Sequence, residues 1–232
     1  MKKLLIPLIA LAMTICGGHA AMIIGNSPAI NRTGHNLSIY DISGTWSFAV
    51  GFRMEEPDFS LTSFTADLRH AAGYPGVTVT AGLYANDGPG GNFGGDPGTL
   101  LALFGSTNLT SSFATYQFDL VTPYNLSDNT RYFIMLTGTG GAANWSVDNG
   151  TAGMNGQIPT SPGGEATWMQ SRWVGGGSSY TDTRIPTYSI FATAIPEPST
   201  YAMLLMGGNP RVCDDFPILS PGKSRRRLRT DQ

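Results

Sequence analysis

The chain has 232 residues and a formal net charge of −2, but the charge is unevenly divided. Residues 1–20 carry two lysines and no acid, residues 21–196 carry six arginines, no lysine and twelve Asp plus Glu, and residues 209–232 carry six basic and three acidic side chains. An acidic, lysine-free body removes the electrostatic footing for nucleic-acid binding, and with its two cysteines at Cys16 and Cys213 the body between has no disulfide to stabilise it.

In chain order, Lys2 and Lys3 precede the apolar stretch LLIPLIALAMTIC and the small-residue site Gly18-His19-Ala20. This is the pattern of an export signal cleaved after Ala20. The stretch ends at Gly17 and Gly18, too short for an anchor across the ~30 Å hydrocarbon core. The body expected after cleavage, 21–194, is long enough for one domain that buries ~70% of its unfolded surface.

Within the body, period-2 alternation recurs and helical periodicity does not. TWSFAVGFR (45–53) puts Trp46, Phe48, Val50 and Phe52 on one face. VTVTAGLYA (77–85) sets Val77, Val79, Ala81, Leu83 and Ala85 against Thr78, Thr80, Gly82 and Tyr84, and ATYQFDL (114–120) sets Tyr116, Phe118 and Leu120 against Thr115, Gln117 and Asp119. Further candidate strands are 61–69, 99–105, 131–138, 143–148, 166–174 and 186–194. RYFIMLTG (131–138) is apolar on both faces, as a central covered strand would be. Turn chemistry separates the runs at Tyr74-Pro75-Gly76, NDGPGGNFGGDPG (86–98), Ser127-Asp128-Asn129 and Asn149-Gly150. Nine candidate strands in one domain predict an all-β fold, a single β-sandwich of jelly-roll type, with an up-and-down barrel as the alternative. An outer-membrane barrel needs longer alternating runs than several of these.

The order of an aromatic strand, LTSFTADLR, TAGLYANDGPGGNFGGDPGTLLALF, FDLVTPYNLSDNTRYFIMLTG and NWSVDN resembles the choice-of-anchor R domain over residues 40–150. That resemblance implies an extracellular bacterial β domain with no established activity. At the end of the body, IPEPSTYAMLLMG resembles the PEP-CTERM sorting signal, with Pro196, Glu197 and Pro198 as the sorting motif and Arg225, Arg226 and Arg227 as the basic end. The resemblance implies export in a Gram-negative bacterium that makes exopolysaccharide, with signal peptidase and an exosortase-type enzyme as processing partners. The spanning helix of such a signal is missing here. A span needs ~20 apolar residues, whereas Asn209, Pro210, Arg211, Asp214, Asp215 and Pro217 follow the short run, and each Asp or Arg at a bilayer centre costs ~2.5–3.5 kcal/mol. Residues 195–232 are therefore expected to be a disordered or degenerate tail without a stable membrane span, altered from about residue 208 by a shifted frame or by decay of the signal.

Candidate sites are sparse. Asp87, Asn92 and Asp96 lie in a glycine-rich loop, and such oxygens bind calcium, although their spacing fits no EF-hand and Gly, Asp and Asn are what tight turns require in any case. No cofactor is otherwise expected. His35 and His70 lack cysteine partners for zinc. In ATWMQSRWV simple alternation places Trp168, Gln170 and Arg172 on one face, an aromatic platform beside polar groups that suits stacking on a pyranose; Trp145 and Trp173 could add to it, and the plainer reading is that these tryptophans fill the core. Glu55 and Asp58 are a carboxylate pair of the kind glycosidases use, but they flank Pro57 in a charged loop, and no nucleophile elbow occurs. The expectation is a non-enzymatic, exported surface or exopolysaccharide-matrix protein. A carbohydrate-binding module is the alternative, and a secreted glycan hydrolase stands third.

Overall fold

The computed structural model describes residues 19–27, 35–39, 47–88, 95–147, 157–175, 178–182 and 184–196. The chain divides into two units, Met1–Ile195 and Pro196–Gln232, and every strand lies in the first. In order these are β1 (Ala21–Gly25), β2 (His35–Ile39), β3 (Ser47–Met54), β4 (Phe59–His70), β5 (Thr78–Ala85) and β6 (Leu100–Asn108). They are followed by β7 (Ala114–Leu126), β8 (Arg131–Thr139), β9 (Ala143–Val147), β10 (Ala166–Gly175), β11 (Ser178–Asp182) and β12 (Tyr188–Ala194). All pairings are antiparallel, and no helix occurs among the described residues.

Eight of these strands make the frame. One sheet runs β1-β12-β4-β7 and the other β3-β8-β5-β6, so among these eight strands the chain crosses between sheets at every step except the hairpin from β5 to β6. That is the strand order of a jelly roll, two interlocked Greek keys, and its crossings exclude the up-and-down alternative. The remaining strands are additions: β10 and β11 extend the second sheet beyond β3, and β9 pairs with β2 and with the end of β4. At one side the two sheets meet through the pair Phe104↔Leu120 between β6 and β7, so the sandwich is nearly closed.

Alternation explains how the layers meet. Phe48, Val50 and Phe52 of β3 point to the interior, as do Val79, Ala81 and Leu83 of β5, and all are fully buried. Across the gap stand Phe64 of β4, Trp145 of β9 and Tyr188 of β12. The rings form a chain from one sheet to the other. Tyr188 lies 6.1 Å from Phe64, Phe64 lies 6.0 Å from Trp145, and Trp145 lies 5.8 Å from Phe48, which is 5.1 Å from Trp173. The last three contacts are edge-to-face, the arrangement the ring quadrupole favours.

Polar groups secure the β1 edge. Asn26, which follows β1, is buried and accepts the Tyr188 amide through Oδ1 at 2.8 Å. Its Nδ2 donates to the carbonyls of Gln157 and Pro186 at 2.8 and 3.1 Å. Gly25 permits this closeness, since a Cβ there would stand 2.5 Å from Ser189 Oγ.

Tyr188 presents the opposite case. Its ring is fully buried and its Oη has no hydrogen-bond partner among the described residues, while burial pushes the phenol's pKa far up. A buried donor without a partner is a desolvation cost that its isostere avoids. Tyr188→Phe is therefore expected to melt at the same temperature or a few degrees higher. A drop of more than ~1 kcal/mol in urea unfolding would reveal a partner for the hydroxyl.

Candidate functional site

β10 decides what the tryptophan stretch can do. Its register against β3 pairs Trp168 with Phe52 but Gln170 with Gly51, so Met169 is an extra residue, a β-bulge. The bulge breaks simple alternation. Trp168 packs against the interior cluster beside Phe52, and Trp173, five positions on, also turns inward against Phe48. Gln170 and Arg172 are left on the outer face, so the expected sharing of one face by Trp168, Gln170 and Arg172 does not occur. The indole Nε1 of Trp168 is buried with no hydrogen-bond partner among the described residues. Two tryptophans five residues apart on one strand, both suited to a core, are the sequence signal of that bulge.

On the outer face, Gln170 and Arg172 hold the arm of the glycine-rich loop that returns to the sheet. Gln170 Nε2 donates to the Gly95 carbonyl at 2.9 Å. Arg172 Nη2 is ion-paired with Asp96 Oδ1, and Nη1 donates to Thr181 Oγ1 of β11 at 3.0 Å. The side chains of Arg172 and Asp96 are 4% and 3% exposed, so the pair has little contact with water.

Asp87 is committed to the same loop. Its two oxygens accept the Thr99 backbone N–H and the Thr99 hydroxyl, each at 2.7 Å, and these donors, the backbone one first, hold its carboxyl below the usual range. Two of the three expected calcium oxygens thus serve an ion pair and a hairpin closure, and Asn92 lies outside the described residues. Among the described residues no group of three or more metal-ligating side chains forms. Because the folded pKa of Asp87 is lowered, its contribution is present above the ordinary Asp range and is lost as pH falls through the lowered value. The protection factor of the Thr99 amide, its exchange rate relative to the unstructured chain at the same pH, is expected to hold through mildly acidic pH and to fall only in stronger acid. A fall already near the ordinary Asp value would contradict this closure.

The outer face as a whole is ordered in rows across the strands. Nearest the loop lie Leu100, Tyr84, Phe133 and Gly51, one each from β6, β5, β8 and β3. Next come Leu103, Gly82, Met135 and Ala49, followed by Ser106, Thr80 and Thr137, and at the far end by Asn108, Thr78 and Thr139. Glycines make room for the rings: a Cβ on Gly51 would meet Phe133 at 2.7 Å, and one on Gly82 would meet Tyr84 at 2.7 Å. Phe133 is fully buried although it faces outward, whereas Leu100 and Leu103 are 48% and 56% exposed. The hydroxyls are cross-linked, Thr80 Oγ1 to Ser106 Oγ at 2.7 Å and Thr78 Oγ1 to Asn108 Oδ1 at 2.6 Å. The recurring pattern Thr78-x-Thr80 and Thr137-x-Thr139 on outward positions was a readable signal for this face.

The other singled-out residues serve the fold. Trp145 is fully buried and its Nε1 donates to the Thr187 carbonyl at 2.9 Å. Glu55 receives Arg53 through contacts of 2.7 to 3.0 Å, and its carboxyl is held below the ordinary range, by the Thr167 hydroxyl first and Arg53 second. A general acid requires a shift in the other direction. Asp58 sits at φ 67° and its carbonyl accepts the Ile195 amide. His70 contacts the Ala71 carbonyl through Nδ1, and His35 pairs with Val147 at the far end of β9 from His70's partner, Ala143. Glu197 and Pro198 of the sorting motif lie outside the described residues, and Ala20 immediately precedes β1.

Fold and site together define a jelly-roll sandwich whose second sheet presents an outer face graded from apolar to hydroxylic. No protein-family model matches the chain, and no curated protein matches it. Among solved structures, a chain of the "Structure of infectious bursal disease virus Gx strain" is similar at 10% identity with a TM-score of 0.30. The match covers 80% of this chain and 43% of that one, so this chain spans less than half the length of its neighbour.

Proposed function

We propose that the chain is an exported bacterial protein of the cell surface or exopolysaccharide matrix, sorted by an exosortase-type system through Pro196, Glu197 and Pro198. The observation that carries the reading is where the sandwich stops. β12 ends at Ala194, the Ile195 amide donates to the Asp58 carbonyl at 2.6 Å, and residue 196 is a proline. Proline has no amide hydrogen to continue a ladder, so the sheet gives out immediately before the sorting motif. A processing enzyme would therefore meet that motif beyond the last strand.

The other end supports the same reading. β1 begins at Ala21, so cleavage after Ala20 would remove nothing from the sheet. No helix among the described residues is long and apolar enough to cross a membrane. A role without catalysis is supported by the engagement of Glu55, Asp87 and Asp96 in structural contacts. Cell fractionation of the native host, with terminal sequencing of the recovered protein, tests the proposal. The expected product starts at Ala21 and appears in the soluble extracellular or periplasmic fraction. Material that keeps its signal, or that leaves the inner membrane only with detergent, would refute it.

A further inference from the structure

The outer face of the second sheet goes beyond the sorting reading and stands without it. The row Ser106, Thr80 and Thr137 sets one hydroxyl on each of three adjacent strands. Adjacent strands in a sheet lie ~4.7–4.9 Å apart, an interval close to the advance per sugar of an extended β-linked polysaccharide. Thr80 Oγ1 bonds Ser106 Oγ at 2.7 Å and Thr137 Oγ1 donates to the Thr80 carbonyl at 3.4 Å, which leaves lone pairs on these oxygens to accept from the hydroxyls of a glycan lying across the strands.

Two further properties narrow the ligand. Next to the hydroxyls are half-exposed Leu100 and Leu103 and the ring of Tyr84, held in place by Gly82, and a pyranose has apolar C–H faces that such a surface covers. Charge is the second property. The hydroxyl rows contain no ionisable side chain, and the face's described charges lie towards the loop, with Arg172 buried against Asp96, Arg53 bound to Glu55, and the exposed Arg131 opposite Arg53 in the register. Around this neutral face the body has six arginines, no lysine and twelve acids, a field that repels polyanions.

We infer that this face binds an uncharged linear polysaccharide laid across β6, β5 and β8, hydrogen-bonded to the Thr80 and Thr137 hydroxyls and packed on Tyr84 and Leu103. Export is irrelevant to this binding, so a mis-sorted chain would still bind, and a correctly sorted one that bound nothing would sink only this inference.

Affinity electrophoresis of the full chain through gels containing a neutral glucan, mannan or xylan, or alginate as the acidic control, provides the test. The expected result is saturable retardation by at least one neutral polymer and none by alginate. Thr80→Val with Thr137→Val keeps β-branched shape and removes both hydroxyls; retardation should weaken about tenfold, the equivalent of ~1.4 kcal/mol, with an unchanged melting temperature. Should that pair fail to fold, Leu103→Glu at an exposed position provides the second variant and should also lose retardation. The inference fails if no neutral polymer retards the chain, if alginate does so equally, or if a folded variant binds like the parent. It also fails if sedimentation reveals a dimer that Leu103→Glu dissociates, since the occupant would then be a second copy.

Discussion

Trp145→Ala is expected to lower folding stability by ~3–5 kcal/mol, the range for removing a large aromatic from a packed core. The indole touches both sheets, with ring centroids 5.8 Å from Phe48 and 6.0 Å from Phe64, and has no exposed surface. Its loss opens a void between the layers and leaves the Thr187 carbonyl with only the longer bond from the Asp67 amide at 3.3 Å in place of the indole N–H at 2.9 Å. With no disulfide in the body, a domain of this kind has only ~5–15 kcal/mol to lose, so a fall in melting temperature of roughly 10 °C or more should follow. Trp168→Ala should cost clearly less, because that side chain is only partly buried and its Nε1 makes no hydrogen bond to the described residues. Calorimetry on the two variants decides the matter. Equal losses would mean that the core is not centred on Trp145.

The contrast between those tryptophans marks the limit of what alternation reveals. Inward positions were legible in VTVTAGLYA and ATYQFDL, where Val79, Ala81, Leu83, Phe118 and Leu120 turn to the interior. In TWSFAVGFR Phe48, Val50 and Phe52 do so too, but Ala49 and Gly51 on the other side are also buried and Trp46 lies outside the described residues. RYFIMLTG was legible as doubly covered, since Phe133 is buried on the outer side. Three strands escaped notice. AMIIG continues the apolar character of the preceding segment without alternating, HNLSI is short, and SSYTD is a polar edge strand whose existence depends on β10 beside it. The bulge at Met169 was hidden because one extra residue moves every later side chain to the opposite face, and period-2 reading assumes no insertion.

The candidate site was legible in its parts and not in its assembly. Asp96 was marked for its oxygens and Arg172 for its face, but nothing in a linear pattern brings residues 96 and 172 together; that follows from β5, β6 and the loop between them lying on the same sheet as β10. The hydroxyl rows have the same origin. Thr80, Ser106 and Thr137 come from three strands and become neighbours only through the jelly-roll order.

Arg172→Ala is the second substitution expected to be severe, at ~3–5 kcal/mol, because it strands the Asp96 carboxylate in a site with almost no water. Part of that loss is the penalty on Asp96 and not the value of the pair. Arg172→Met combined with Asp96→Leu removes both charges and should recover most of the stability, since well-packed apolar groups often replace a buried pair without loss. Acidity separates the two variants. In Arg172→Ala the lone buried carboxylate gains by taking up a proton on folding, which raises its folded pKa, so the defect should be largest at neutral pH and shrink as pH falls. The double variant should lack that pH dependence. Urea unfolding of both at neutral and mildly acidic pH measures the difference. A single variant as stable as the parent, or one whose deficit does not shrink in acid, would mean that the loop is held to the sheet by Gln170 and the Gly95 carbonyl without help from the ion pair.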